Sequence, residues 1–153
     1  MESGNNVTRI QSVSFYNCSS LKNIKLPKNL KEIGERAFES CTSLKKMEIP
    51  NSVDFIGEYS FSSCAEVKEV ILPEGLECIS NSVFEHCTDL GKIKIPDSVK
   101  KIGHSAFYKC SSLEEVILPD GLVRIENFGF SDCTSLKRME IPNSAQFVGY
   151  SVF

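Results

Sequence analysis

Residues 41–63 read CTSLKKMEIPNSVDFIGEYSFSS, and this 23-residue unit decides the fold because it recurs along nearly the whole chain. Phenylalanine and proline mark the repeat without one slip of register. They recur at Phe15, Phe38, Phe61, Phe84, Phe107, Phe130 and Phe153, and at Pro27, Pro50, Pro73, Pro96, Pro119 and Pro142. Units of this length without insertions are typical of solenoids, in which each coil covers the apolar face of its neighbour. The pattern predicts one solenoid domain over residues 7–153, after a polar leader at residues 1–6.

Each unit contains a short segment with apolar side chains at every second position. Met47 and Ile49 alternate with charged residues, which predicts a strand with one buried face and one wet face. Stacked coils should place these strands in a parallel sheet with rungs about 4.8 Å apart. Pro50 ends the strand, and the other side of the coil is expected to hold short turns, second short strands or single helical turns, the last around residues 35–39.

Two residues of the unit carry more specific expectations. Gly57 is expected to adopt a backbone conformation that larger residues avoid. The phenylalanine column is expected to stack into an internal aromatic spine.

The consensus C-x-x-L-x-x-I-x-I/L-P-x-x-V/L-x-x-I-G-x-x-A-F resembles the BspA-like, or treponemal, class of leucine-rich repeats, from Val7 to Phe153. The resemblance implies a β-rich, right-handed superhelix with a parallel sheet on its concave side. Members of the class are often cell-surface proteins of bacteria and of some protozoan parasites, with roles in adhesion. The class shares no catalytic residues, so no site is carried over. The polar start lacks a secretory signal. This absence predicts an intracellular protein or a piece of a longer chain, in contrast to the cell-surface location that the resemblance implies.

Composition and motifs exclude several classes of function. The net charge of −3 disfavours a protein that coats nucleic acid. The sequence has no apolar run long enough to span a membrane, so we do not expect membrane insertion. The sequence has no phosphate-binding glycine loop, no zinc or C-x-x-C motif and no nucleophile elbow, so we expect neither an enzyme nor a cofactor. The histidines His86 and His104 occupy different repeat positions and are expected at the surface.

Cysteine also follows the repeat, at Cys18, Cys41, Cys64, Cys87, Cys110 and Cys133. Stacked equivalent residues project in parallel, which is a poor geometry for a disulfide, so we expect a column of buried free thiols. Cys78 lies outside this column and is expected to be exposed, either as a tolerated surface thiol or as a regulatory or intermolecular disulfide partner.

The outward positions of the strand segments form the first candidate binding surface. It includes Lys25, Lys46, Glu48, Lys68, Ile71, Lys92, Lys94, Ile117 and Arg138. Its outward positions carry nine Lys or Arg residues and five Glu residues, a local charge of +4. One interpretation is a basic strip that binds an acidic protein segment or an acidic glycan, with the isoleucines as anchors. The other is a solvated face that prevents aggregation.

A second candidate surface lies after the proline of each unit, where aromatic residues are expected to point outward. These residues are Phe55, Tyr59, Phe128 and Phe147. They predict either an interface or contact with a flanking segment.

Units also alternate between Leu-Pro and Ile-Pro types, so the sequence has a second period of two coils. Duplication explains this period, and a ligand that is itself repetitive is the other interpretation.

The last unit predicts an uncapped coil with exposed apolar side chains. These are Ile141, Phe147, Val148, Val152 and Phe153. We expect end-to-end self-association or fraying over residues 145–153, unless an additional segment supplies a cap.

Two functions remain open from the residues. The first is a non-catalytic protein-interaction or adhesion module that binds a macromolecular ligand on the concave sheet face. The second is a structural or intracellular scaffold without a dedicated ligand site.

Overall fold

The computed structural model describes residues 6–153, in which each coil contributes short strands to parallel sheets. The strands are β1 (Arg9–Ile10), β2 (Glu32–Ile33), β3 (Lys46–Glu48), β4 (Phe55–Ile56), β5 (Glu69–Ile71), β6 (Cys78–Ile79), β7 (Lys92–Lys94), β8 (Lys101–Ile102), β9 (Glu115–Ile117), β10 (Arg124–Ile125) and β11 (Phe147–Val148). The predicted polar leader lies outside the described residues except for Asn6. The result is a β-solenoid of 23-residue coils, as predicted.

One sheet consists of β3, β5, β7 and β9, which are parallel and adjacent in that order. Equivalent residues of successive coils pair directly, for example Met47 with Val70 and Ile93 with Val116. In each strand the middle residue is buried and the two outer residues are exposed. The predicted period of two is therefore confirmed.

The second short strands form a separate ladder, with the orders β1-β2-β4 and β11-β10-β8-β6. The ladder is interrupted between β4 and β6. There the Ser80 hydroxyl donates a hydrogen bond to the Ile56 carbonyl at 2.5 Å. At the equivalent place in other coils the backbone N–H of Gly57 or Gly103 donates to the preceding coil, at 2.8 Å. Glu126 keeps this backbone bond at 2.9 Å, so a side chain at this position does not by itself break the ladder.

The expectation for Gly57 is wrong, because no glycine in the described residues has a positive φ. A Cβ at Gly57 would lie 2.5 Å from the backbone nitrogen of Glu35 in the preceding coil. The glycine therefore permits close approach of two coils instead of an unusual backbone conformation.

Of the alternatives expected for the other side of the coil, short turns and second short strands form, and the described residues contain no helical turn at 35–39. Arg36 and Ser40 have φ values of 54° and 61°, which a right-handed helix cannot contain. The N–H groups of Phe38 and Ser40 donate to the next coil, to the carbonyls of Ser60 and Ser62 at 2.8 and 2.9 Å. This segment is thus a succession of turns whose N–H groups bond to the next coil. A helical turn would instead form its hydrogen bonds within one coil.

Phenylalanine rings form the predicted spine through the centre of the solenoid. From Phe15 to Phe130 successive rings stack with centroids 4.9 to 5.8 Å apart. Phe153 is 60% exposed. The spine is therefore continuous over six coils.

The cysteine column is a ladder of free thiols, five of which are buried: Cys41, Cys64, Cys87, Cys110 and Cys133. Each of the five donates a hydrogen bond from Sγ to the carbonyl of the phenylalanine one coil earlier, at 3.1 to 3.2 Å. Cys18, in the first coil, is exposed, which corrects its predicted burial. Cys78 is half-buried, so its predicted full exposure is wrong as well.

Alkylation under native conditions should separate the thiols by burial. Burial raises the pKa of Cys41 to about 11 and that of Cys133 to about 12, and it raises the pKa of Cys78 as well. Because the thiolate is the reactive form, mildly alkaline iodoacetamide should modify Cys18 first, Cys78 more slowly and the five buried thiols last. Mass spectrometry of timed samples measures this order, and a denatured sample, in which the rates converge, is the control. Modification of Cys87 or Cys110 as fast as Cys18 would contradict the buried ladder.

Candidate functional site

The sheet of β3, β5, β7 and β9 brings the first set of predicted site residues onto one exposed face. Six of them lie on the strands: Lys46, Glu48, Ile71, Lys92, Lys94 and Ile117. Lys25, Lys68 and Arg138 occupy corresponding positions beside them and are also exposed. We call this surface the sheet face.

Charges on the sheet face alternate along the column Lys46, Glu69, Lys92, Glu115 and Arg138. Lys46 Nζ lies 3.1 Å from Glu69, and Lys92 Nζ lies 3.4 Å from Glu115. Exposed pairs of this kind contribute only about 0–1 kcal/mol each to stability, but they offset the local positive charge. In this column the positive charges of the predicted basic strip alternate with glutamates, so the column carries little net charge.

The neighbouring column of the sheet face reads Glu48, Ile71, Lys94, Ile117 and Glu140. Ile71 is 42% exposed and Ile117 is 55% exposed, although both belong to strands whose other outward residues are charged. Lys94 lies between them and has no ion pair within residues 6–153. The column thus places a free ammonium group between two exposed apolar side chains.

A depression of about 350 Å³ opens at this point, lined by Ile71, Leu72, Lys94, Pro96 and Ile117 among others. It combines apolar walls with the ammonium group of Lys94, and its charged rim also includes Glu69, Glu74, Lys92 and Glu115. This is the part of the sheet face best suited to hold an apolar side chain.

The depression recurs with the two-coil period of the sequence. Others lie beside Leu26, with about 350 Å³, and beside Leu118, with about 280 Å³. In the intervening coils the N–H groups of Ile49 and Ile95 donate to the carbonyls of Ile71 and Ile117, at 3.0 and 3.1 Å. For Leu26, Leu72 and Leu118 no such bond to the next coil is found among the described residues. At this edge of the sheet, the backbone bond between coils is therefore missing at every second interface, where the unit is of the Leu-Pro type, while the coils stay bonded elsewhere, as between Glu69 and Lys92.

The predicted aromatic surface does not form one patch. Phe55 and Phe147 are exposed, as predicted, but they lie on β4 and β11, four coils apart. The Arg124 guanidinium covers Phe147, 4.2 Å from its ring centroid. The two sites are roughly 19 Å apart at about 4.8 Å a rung, too far to act as one hot spot.

Tyr59 and Phe128 are half-buried, which corrects their predicted exposure. The Arg36 guanidinium lies 4.7 Å from the Tyr59 ring centroid, and His104 packs edge-on against Phe128 at 5.5 Å. Both residues have positive φ values, 56° and 59°. These rings therefore pack against neighbouring coils and leave little free surface.

The side chains that could take part in catalysis or metal binding are dispersed over the surface. His104 is exposed, and His86 is half-buried against Tyr108, with ring centroids 5.7 Å apart. Within residues 6–153 no group of His, Cys, Asp and Glu side chains is arranged to hold a metal ion. Over the same residues no helix is long and apolar enough to cross a membrane.

The last coil exposes several of the predicted apolar side chains, namely Ile141, Phe147, Val148 and Phe153. Val152 is buried, contrary to prediction. It packs in the coil next to Phe130, and the Phe130 N–H donates a hydrogen bond to the Val152 carbonyl at 2.9 Å. Beside these residues lies a depression of about 550 Å³ lined by Leu136, Met139 and Phe153, among others. Self-association through this coil stays a prediction.

Solved structures of bacterial leucine-rich-repeat proteins are similar to this chain. One from Bacteroides ovatus is 37% identical, with a TM-score of 0.92 over 96% of this chain and 38% of its own. One from T. pallidum is 32% identical, with a TM-score of 0.86 over 94% of this chain and 67% of its own. A leucine-rich cell surface protein from Faecalibacterium prausnitzii is 30% identical, with a TM-score of 0.77 over 96% of this chain and 40% of its own. The chain thus spans about two fifths of the first and third relatives and about two thirds of the second.

The repeats themselves match a family model. A search of curated proteins finds no relative. The model of the BspA type leucine-rich-repeat region matches residues 1–114 and 100–153, with six copies. Because the match covers the whole chain, this protein belongs to the BspA-type leucine-rich-repeat family.

Proposed function

We propose that this chain is a non-catalytic interaction module that binds a polypeptide ligand on the sheet face. Leucine-rich repeats of this family are generally protein-interaction modules. A solenoid offers a long surface whose outward residues vary without disturbing the core, which suits a binding role.

The observation that carries the proposal is the exposure of Ile71 and Ile117 around one depression. A strand face kept only for solubility would carry charge at these positions, because charged edges and faces oppose aggregation. Two apolar side chains around a free lysine instead resemble the centre of an interface, where an apolar anchor is surrounded by polar groups. The observation therefore favours a dedicated ligand over a scaffold that only sets spacing.

The charge pattern favours a polypeptide over an acidic glycan. A sulfated glycan binds best to a run of free cations, whereas two lysines of the sheet face, Lys46 and Lys92, are paired with glutamates of the next coil. A polypeptide supplies both apolar side chains and hydrogen-bonding groups, which matches the depression. We therefore place the glycan second.

A role in adhesion is the further part of this proposal. The F. prausnitzii relative is described as a cell surface protein. This similarity supports a module that acts at a cell surface, where a polypeptide ligand would belong to another cell or to the surrounding matrix.

Selection from a peptide display library against the wild-type chain tests the proposal. We expect the selected peptides to bind the Ile71→Ser/Ile117→Ser variant at least about tenfold more weakly, since loss of central apolar contacts commonly costs more than 1 kcal/mol. The matched control is Phe55→Ser/Phe147→Ser, which removes two exposed aromatic residues away from the face and should leave the affinity unchanged.

Several outcomes would contradict the proposal. One is a library that yields no binder, and another is a set of binders that lose affinity only with the Phe55→Ser/Phe147→Ser variant. Titration with a heparin oligosaccharide covers the glycan alternative. Tight heparin binding that depends on Lys25 and Lys94 would replace the polypeptide by a glycan.

A further inference from the structure

We propose that the sheet face binds a polypeptide in the polyproline II conformation, with an apolar side chain at every third residue. The peptide would lie along the solenoid axis, across the strands, and insert one apolar side chain into each of the three depressions beside Leu26, Leu72 and Leu118. This inference rests on the proposed function and specifies the conformation and chemistry of its ligand.

The spacing of the depressions is the first step. They recur every two coils, because the backbone bonds at this edge of the sheet are made only between alternate pairs of coils. Parallel strands are about 4.8 Å apart, so equivalent points two coils apart are separated by about 9.6 Å. A ligand that uses all three depressions needs side chains on one side of its chain at that interval.

The interval distinguishes the regular conformations of a polypeptide. A polyproline II helix has three residues per turn and a rise of about 3.1 Å, so every third side chain returns to the same side after about 9.3 Å. An α-helix returns after seven residues, at about 10.5 Å. A β-strand places side chains on the same side about 6.8 Å apart. Over two intervals the mismatch is about 0.6 Å for polyproline II and about 1.8 Å for the α-helix, so polyproline II fits best.

The chemistry of the depressions agrees with this backbone. Polyproline II has no internal hydrogen bonds, so its carbonyl oxygens are free to accept bonds from a protein. Lys25 and Lys94 line the first and second depressions and have no ion pair within residues 6–153. The apolar lining is supplied by Leu26 and Pro50 in the first depression, and by Ile71 and Ile117 in the second. Each of these two sites thus offers an apolar surface beside a lysine donor, with glutamate side chains also at the rim.

Synthetic peptides of the sequence (Pro-Pro-Leu)n, with n from one to four, provide the test. Fluorescence anisotropy measures their affinity, and circular dichroism verifies the polyproline II conformation. We expect the affinity to rise about fivefold or more with each unit up to n = 3, because each unit engages one more linked subsite, and to level off at n = 4. A peptide of the same composition with irregularly spaced leucines should bind at least about tenfold more weakly, since it fills one depression at a time.

Variants of the protein locate the contact. Ile71→Ser should lower the affinity of the n = 3 peptide to that of the n = 2 peptide, because one subsite is lost. Lys94→Ala should weaken binding about threefold to tenfold through the lost hydrogen bond, whereas the matched control Lys100→Ala, at an exposed lysine away from the sheet face, should not.

The inference fails if the irregular peptide binds as well as the regular one, if affinity does not depend on n, or if an α-helical peptide with leucine at every seventh residue binds more tightly. In each case binders selected from the display library still test the sheet face independently. A loss of those binders with Ile71→Ser/Ile117→Ser would leave the proposed function standing without the polyproline II ligand.

Discussion

Replacing Ile79 by Asp is expected to unfold most of the chain. Ile79 lies on β6 in a central coil, is 1% exposed and pairs with Ile102 of the next coil. An unpaired carboxylate at this place costs several kcal/mol, which is comparable to the total stability of about 5–15 kcal/mol of an ordinary domain. Because each coil is stabilised by its two neighbours, the damage should spread in both directions. Thermal and guanidinium unfolding followed by circular dichroism measure the effect.

The same substitution at an exposed isoleucine is the control. Ile71→Asp changes a side chain that is 42% exposed on the sheet face, and it should lower the free energy of unfolding by no more than about 1 kcal/mol. If Ile79→Asp unfolded cooperatively within a few degrees of wild type, the assignment of this column to the core would be wrong.

Replacing Phe84 by Ala should cost about 3–5 kcal/mol of unfolding free energy. Phe84 is fully buried in the spine, with ring centroids 5.8 Å from Phe61 and 5.4 Å from Phe107. Its removal leaves a cavity and deprives two stacked rings of their neighbour, and the regular coils on either side limit how far the cavity can collapse.

Phe55→Ala is the matched control, because this ring is 50% exposed and lies outside the spine. Its effect should stay below about 1 kcal/mol. Denaturant titrations of the two variants compare them directly. Equal losses of stability would show that the stacked spine has no special part in the fold.

Much of this fold could be predicted from the residues because one unit recurs without insertion. The register of Phe38, Phe61 and Phe84 specifies which side chains stack, and the alternation around Met47 specifies which face of the strand is buried. The positions of Lys94 and Ile117 on the sheet face follow from the same 23-residue repeat and the same alternation of buried and exposed residues. These features depend only on spacing, which the sequence states directly.

Features that depend on contacts between coils were harder to predict. The alternating charges from Lys46 to Arg138 are visible in the sequence when equivalent positions are aligned, but a summed charge hides them. The half-burial of Tyr59 depends on Arg36 of the preceding coil. The positive φ of Arg36 could not be predicted either, because arginine rarely adopts this conformation. The two-coil period is visible in the sequence. The absence of a backbone bond from Leu72 to the next coil is not, because it depends on how closely the two coils approach.

Binding on the sheet face can be observed most directly through the isoleucine methyl groups. The chain would be labelled at its isoleucine δ-methyl groups and titrated, in an NMR experiment, with a peptide selected from the display library. We predict that the resonances of Ile71 and Ile117 shift most, with small changes at buried isoleucines such as Ile56 and Ile79. Unchanged resonances of Ile71 and Ile117 at saturation, with the largest shifts elsewhere, would contradict the assignment of the ligand site to the sheet face.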